Sequence, residues 1–308
     1  MSVEAPVRST DLALSAAVAS GAVLALQQRI NGELKTALGD ALLTALVSFG
    51  TGLAAVVVVV LSRASARAAV GRVREVPWVQ RLGGLGGATL VAVGAAAAPE
   101  LGIALLSVGL VAGQATGGLV VDRVGWGPSG RHALTGPRVL GATLCLVAVA
   151  LSVLGDGARA ASPLLVLLVV VAGFLIAVQQ ALNGQVRRAT GDAGVATLVN
   201  FVVGTVALGL GVLVHAVVSG PDVGHWPGPG QWYLYLGGPM GAAFVAVAAL
   251  VVRRLGVLRL GLAVTAGQLV GALLLDLVLP VAGGGVGLLT VLGVALTLVA
   301  VAVSGRGA

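Results

Sequence analysis

Residues 25–32 read ALQQRING and residues 177–184 read AVQQALNG, nearly the same octet displaced by 152 positions. The displacement persists on both sides of it. Gly39-Asp40 returns as Gly191-Asp192, and Phe49 with Gly52 returns as Phe201 with Gly204. Through the middle of each copy it becomes 154, so that Trp78 matches Trp232, and Gly83 and Gly87 match Gly237 and Gly241. Gly113-Gln114 matches Gly267-Gln268 and Asp122 matches Asp276 in that frame. VLGATLCLVAVALS (139–152) and VLGVALTLVAVAVS (291–304) close the series, again 152 apart. Self-similarity over nearly the whole chain points to a duplicated unit.

What the unit is made of follows from composition. The 308 residues have a mean hydropathy of +1.07, 58% hydrophobic residues and 9% charged residues. A soluble surface needs about 25% charged residues. Apolar runs of roughly 20 residues, enough to cross about 30 Å of hydrocarbon as a helix, recur along the chain. They cover approximately 12–30, 41–62, 80–98, 101–121, 134–154, 163–181, 193–218, 232–251, 257–279 and 286–303. Backbone polar groups in lipid must bond internally, so each run is expected to be helical. The prediction is an all-α integral membrane protein of ten transmembrane helices, built from five-helix repeats at 1–155 and 156–308. Because five is odd, the second repeat is expected to be inverted relative to the first, the arrangement that alternating access exploits. The first run has no strongly basic flank, and its counterpart is internal, so it reads as a retained helix rather than a cleaved signal.

Charge supplies an orientation. Fifteen of the 18 basic residues fall on the side that receives both termini and the connections after helices 2, 4, 6 and 8. Only Arg29, Lys35 and Arg159 fall on the other. That asymmetry predicts cytoplasmic termini. It also accounts for the net charge of +7 without nucleic acid, since the basic residues form no aromatic-interleaved patch. Trp78, Trp126, Trp226 and Trp232 all sit at the edges of apolar runs, where amphipathic rings prefer the headgroup region.

Polar side chains within apolar runs are the candidates for a solute pathway, because each must face a partner helix or a cavity. They are Gln27, Gln28 and Asn31 on helix 1, Ser48 on helix 2 and Gln114 on helix 4. Their counterparts are Gln179, Gln180 and Asn183 on helix 6, Asn200 on helix 7 and Gln268 on helix 9. Topology assigns Gln27, Gln28 and Ser48 to the outer half of the membrane and Gln179, Gln180 and Asn200 to the inner half. Asp276, in LLLDLVLP, is a possible proton-coupling residue or an interfacial anchor. Gly83 and Gly87, Gly109, Gly113 and Gly117, Gly237 and Gly241, and Gly267 and Gly271 make small-xxx-small strips for helix packing.

Other chemistries lack their residues. Cys145 is the single cysteine, and His132, His215 and His225 have no ligand spacing, so neither a disulfide framework nor a metal site is expected. No cofactor motif and no nucleophile–base set lies within the apolar runs, which argues against an enzyme. The longest connections are too short to hold a soluble catalytic domain.

The pattern QQ-x-x-NG followed by GD, a polar-Phe-x-x-Gly turn and later GQ-x-x-G resembles the YdcZ-like family of the drug/metabolite transporter (DMT) superfamily. The resemblance covers both halves and implies a bacterial inner-membrane transporter that exports a small organic solute, here as two units fused in one chain. It implies lipid and a small-molecule substrate as partners and leaves the oligomeric state open. A lipid scramblase, a passive channel or an assembly partner is the alternative reading.

Overall fold

The structure, a computed structural model, describes residues 4–127, 130–131, 133–154, 162–220, 224–280 and 286–305, without the side chains of 4–10, 219, 245–246, 248–250 and 252–260. His132, Arg159 and Arg306 lie outside the described residues, as do the side chains of Arg8, Arg253, Arg254 and Arg259. Nine helices follow one another along the described chain: α1 (Glu4–Leu38), α2 (Ala41–Ser62), α3 (Ala64–Val70), α4 (Gly84–Val124), α5 (Gly136–Leu154), α6 (Pro163–Thr190), α7 (Ala193–Ser219), α8 (Gly237–Val278) and α9 (Leu288–Gly305). No strand occurs among the described residues.

Eight helical stretches among the described residues are long and apolar enough to cross a membrane. One of them, Trp78–Val124, has 47 residues and contains the two runs expected at 80–98 and 101–121. At 1.5 Å per residue its summed helical length is about 70 Å, more than twice the hydrocarbon thickness. The expected loop between those runs is replaced by a break at Gly102, whose φ of 74° and ψ of 165° are non-helical. Pro99, three residues earlier, lacks the N–H that would tie this turn to the preceding one. The break expected between 251 and 257 also gives way to helix, because α8 runs from Gly237 to Val278. Its beginning differs too: residues Pro229–Leu236 form a 3₁₀ stretch, so the α-helix starts at Gly237 rather than at 232.

The repeated Gly-Asp is a two-residue helical turn. Gly39 (φ 79°) and Gly191 (φ 75°) are left-handed, the conformation that ends helices and favours glycine, and each N–H bonds back to a carbonyl four residues earlier. The aspartate then caps the next helix. Asp40 accepts from Leu43 N at 2.5 Å, and Asp192 accepts from Gly194 N at 2.7 Å and Val195 N at 3.2 Å. This motif turns α1 into α2 and α6 into α7 with only two residues between them.

Packing between the halves recurs in matched pairs. α1 lies along α8 and α4 along α6, while α2 meets α7 and α5 meets α9. The glycines explain how closely. The Gly113 α-carbon abuts the Val170 carbonyl, and its counterpart Gly267 abuts the Val18 carbonyl; Gly173 and Gly21 face Leu110 and Val264 in the same way. A methyl added to Gly109 would lie 2.8 Å from Val169 Cγ1, and one on Gly117 2.8 Å from the Phe174 carbonyl. On Gly271 it would meet Ala22 Cα at 2.9 Å. Only glycine allows these backbones to approach so near, and near approach replaces the missing hydrophobic drive as the source of helix association in lipid. Between α5 and α9, Gly141 faces Ser304 and Gly293 faces Ser152. Cys145 is buried in this contact with Ala148, Val294 and Ala300.

Candidate functional site

Two polar clusters arise from the matched packing. In the first, α1 supplies Gln27 and Asn31, α2 supplies Ser48, and Gly237 and Gly241 of α8 leave the space they occupy. Asn31 is 3% exposed and Ser48 2%. Gly237 faces the Asn31 amide, and a methyl there would also lie 3.2 Å from Ser48 Oγ. At Gly241 it would lie 2.9 Å from the Gln27 amide.

The second cluster repeats the plan with α6, α7 and the α4 region. Asn183 Nδ2 donates to Asn200 Oδ1 at 3.2 Å. A methyl on Gly83 would approach Asn183 Oδ1 to 2.6 Å, and one on Gly87 would approach Gln179 Oε1 to 2.8 Å. These four glycines therefore make room for amides, whereas Gly113, Gly117, Gly267 and Gly271 make room for backbone. Each cluster retains one buried acceptor without a hydrogen-bond partner among the described residues, Asn31 Oδ1 in the first and Gln179 Oε1 in the second. Leaving such a group unpaired costs about 1–3 kcal/mol.

Phe49 and Phe201 stand between the clusters, their ring centroids 5.0 Å apart at 36°. Each follows a cluster residue, Ser48 or Asn200, and each ring presses on the other half's glycine, Phe49 on Gly204 and Phe201 on Gly52. The polar-Phe-x-x-Gly motif is thus one reciprocal contact written twice.

The remaining candidates separate. Gln28 Oε1 accepts from Ser107 Oγ at 3.4 Å. Gln180 is exposed, and the position matching Ser107 is Gly261, which has no hydroxyl to offer. Gln114 is half-buried on α4, and Gln268 is 6% exposed on α8, where its backbone adjoins Gly21. Asp276 is distant in sequence from everything it holds. Its carboxylate accepts N–H bonds from Ile103 at 2.9 Å and Ala104 at 2.7 Å, the first two amides after the Gly102 break. It therefore caps the second segment of α4 from α8, in the manner of an N-cap supplied across the bundle. Asp122, its counterpart, pairs with Arg138 instead. Ser107, Phe49 and Phe201 lie outside the polar candidates that the apolar runs offer; for the phenylalanines, recurrence at 152 is the available signal.

No group of three His, Cys, Asp or Glu side chains among the described residues could hold a metal ion. His215 faces Asp40 at 3.7 Å, and the His225 backbone N–H bonds to the Ala37 carbonyl.

Long apolar helices bound by reciprocal glycine contacts and enclosing amide clusters define a multi-pass membrane protein. Residues 12–151 and 164–303 each match the model of a family described as "Putative inner membrane exporter, YdcZ", of the DMT type. The chain belongs to that family, in a form that carries the unit twice. That description is of export across the inner membrane, and it names no catalysed reaction. No curated protein matches the chain. Solved structures do, among them one titled "Crystal structure of protein", which shares 25% sequence identity over 96% of each chain with a TM-score of 0.57.

Proposed function

We propose that the chain is a secondary transporter that exports a small organic solute by alternating access between an inverted pair of five-helix units, 1–155 and 156–308. In this reading Trp78–Val124 and Gly237–Val278 each cross the bilayer twice, giving ten crossings with both termini in the cytoplasm. The first cluster then faces the outer vestibule and the second the inner one. The observation that carries the reading is the pair of buried, unpartnered amide oxygens, Asn31 Oδ1 and Gln179 Oε1, one in each cluster. A solute carrying N–H or O–H donors satisfies one of them at a time as the clusters open in turn. Membrane lipid and the solute are the partners this mechanism requires.

The test is flux into proteoliposomes, with labelled amino acids, sugars, nucleosides and organic cations, and with and without a pH gradient. Saturable flux and counterflow are expected for at least one class. Asn31→Ala and Gln179→Ala should each slow it by about 10-fold, the loss of one buried hydrogen bond to solute. Flux that neither variant alters would remove the clusters from the pathway. Lipid scrambling without solute flux would replace the transporter reading with a scramblase.

A further inference from the structure

A cavity of about 400 Å³ opens at the end of the bundle that holds the α1–α2 turn, apart from both amide clusters. One wall is a face of α1 with Arg29, Gly32, Glu33 and Thr36; the other is Ala98 and Pro99 beside the α4 break, with Pro280 just past α8. Gly32 sets the two walls together, since a methyl on it would lie 2.8 Å from Ala98 Cβ. A volume of this size lies in the range of small-ligand sites.

Its charges are opposite and adjacent. Arg29 Nε donates to Glu33 Oε1 at 2.8 Å, with side-chain exposures of 20% and 37%. Arg29 Nη1 donates to the Leu279 carbonyl at 3.0 Å, which fixes the guanidinium at the cavity wall. Among the described residues, those two single bonds leave further N–H groups of a five-donor fork, and Glu33 Oε2, to the cavity. A half-exposed i,i+4 pair adds little stability, so although Arg29 also holds the end of α8, the pairing gives Glu33 little structural reason in a chain with so few charges. The duplication sharpens the point. At the matching positions the second half has Ala181 and Gln185, although the surrounding octet is repeated.

We infer that this cavity is a binding site for a small zwitterion, whose anionic group is taken by Arg29 and whose ammonium is taken by Glu33, over an apolar floor of Ala98, Pro99 and Pro280. A pure cation would meet the guanidinium and a pure anion the carboxylate, whereas a zwitterion answers both. The required chemistry is shared by free amino acids and by the phosphoethanolamine headgroup of lipid. As a first station for exported or imported solute the site depends on the transport reading; as a binding site it does not.

The experiment is calorimetric titration of the purified full chain in detergent with L-alanine, propionate, ethylamine and glycerophosphoethanolamine. Saturable binding is expected for at least one of the two zwitterions, with propionate and ethylamine at least about 10-fold weaker, as expected when one charge-assisted hydrogen bond is lost. Tighter alanine binding assigns a free solute, and tighter glycerophosphoethanolamine binding assigns a lipid headgroup. Glu33→Gln should weaken the favoured zwitterion by a similar factor, as should Arg29→Gln. Because Arg29 also holds the end of α8, the near-isosteric Glu33→Gln decides if Arg29→Gln does not fold. Absence of binding by both zwitterions overturns the assignment, as does equal binding of the half-molecules or undiminished binding by Glu33→Gln. Flux through vesicles by the same preparation reports on the transport reading separately, so either conclusion can fall without the other.

Discussion

The two halves keep the same scaffold and part company over charge. Gly113 and Gly267 meet equivalent carbonyls, and Phe49 and Phe201 meet equivalent glycines. Asp276, however, crosses to another helix to cap the α4 break, while Asp122 pairs with Arg138. Arg29 and Glu33 line a cavity in the first half, and the second half answers with Ala181 and Gln185. The difference teaches that the geometry of a duplicated unit is fixed by reciprocal packing, where a change on one side must be matched on the other. The Arg29–Glu33 and Asp122–Arg138 pairs each lie within one half and have no such matched counterpart, and in a fused chain each copy is free to change them alone.

The largest effects should fall where the halves agree. Gly113→Val and Gly267→Val each drive a branched side chain into a backbone carbonyl, and each should destabilise by about 2–3 kcal/mol, the upper range for overpacking. Thermal unfolding in detergent checks this, and a mild effect in one half alone would break the equivalence. The contrast between the aspartates comes next. Asp276→Ala strips two backbone amides of a charged acceptor and should cost about 2 kcal/mol. Asp122→Ala loses one partly exposed ion pair and should cost under about 1 kcal/mol. Equal losses, read by denaturant or thermal unfolding, would show that the Ile103 and Ala104 amides do not depend on Asp276. The smallest contrast sharpens the comparison at the turns. Asp40→Ala and Asp192→Ala should each cost about 1 kcal/mol, the usual value of an N-cap. The Asp192 change should be the larger, because that carboxylate takes two amides and also faces Arg63 at 3.4 Å. Unfolding of the two variants side by side checks the order.

Much of this was legible in the chain, and the reason is periodic burial. Apolar runs marked the helices because lipid leaves the backbone no other structure, and the octet with its 152-residue echo marked the duplication. Helix ends were less legible. α1 continues to Leu38 past the apolar run that ends near residue 30, because Arg29, Glu33 and Lys35 are good helix formers that extend it beyond the hydrophobic pattern. The α4 break was misplaced because Pro99 and Glu100 look like a loop, whereas the backbone departs from helix only at Gly102. The Asp276 cap was hidden altogether, since its two partners lie 173 and 172 residues away and are backbone amides that any sequence would supply. Which face a glycine served was equally hidden: Gly83 and Gly113 read alike as letters, yet one adjoins an amide and the other a carbonyl.

The Gly-Asp turns bear on biosynthesis. With only residues 39–40 between α1 and α2, and only 191–192 between α6 and α7, no stretch of chain separates the members of either pair. Each pair is therefore suited to leave the translocon as a closed hairpin rather than as two independent helices. Neither turn residue is basic, and the charges that lead into the turns differ, Lys35 before the first and Arg187 with Arg188 before the second, so the positive-inside bias acts on the two pairs unequally. An epitope inserted at either turn would pry the pair apart before it reached the bilayer.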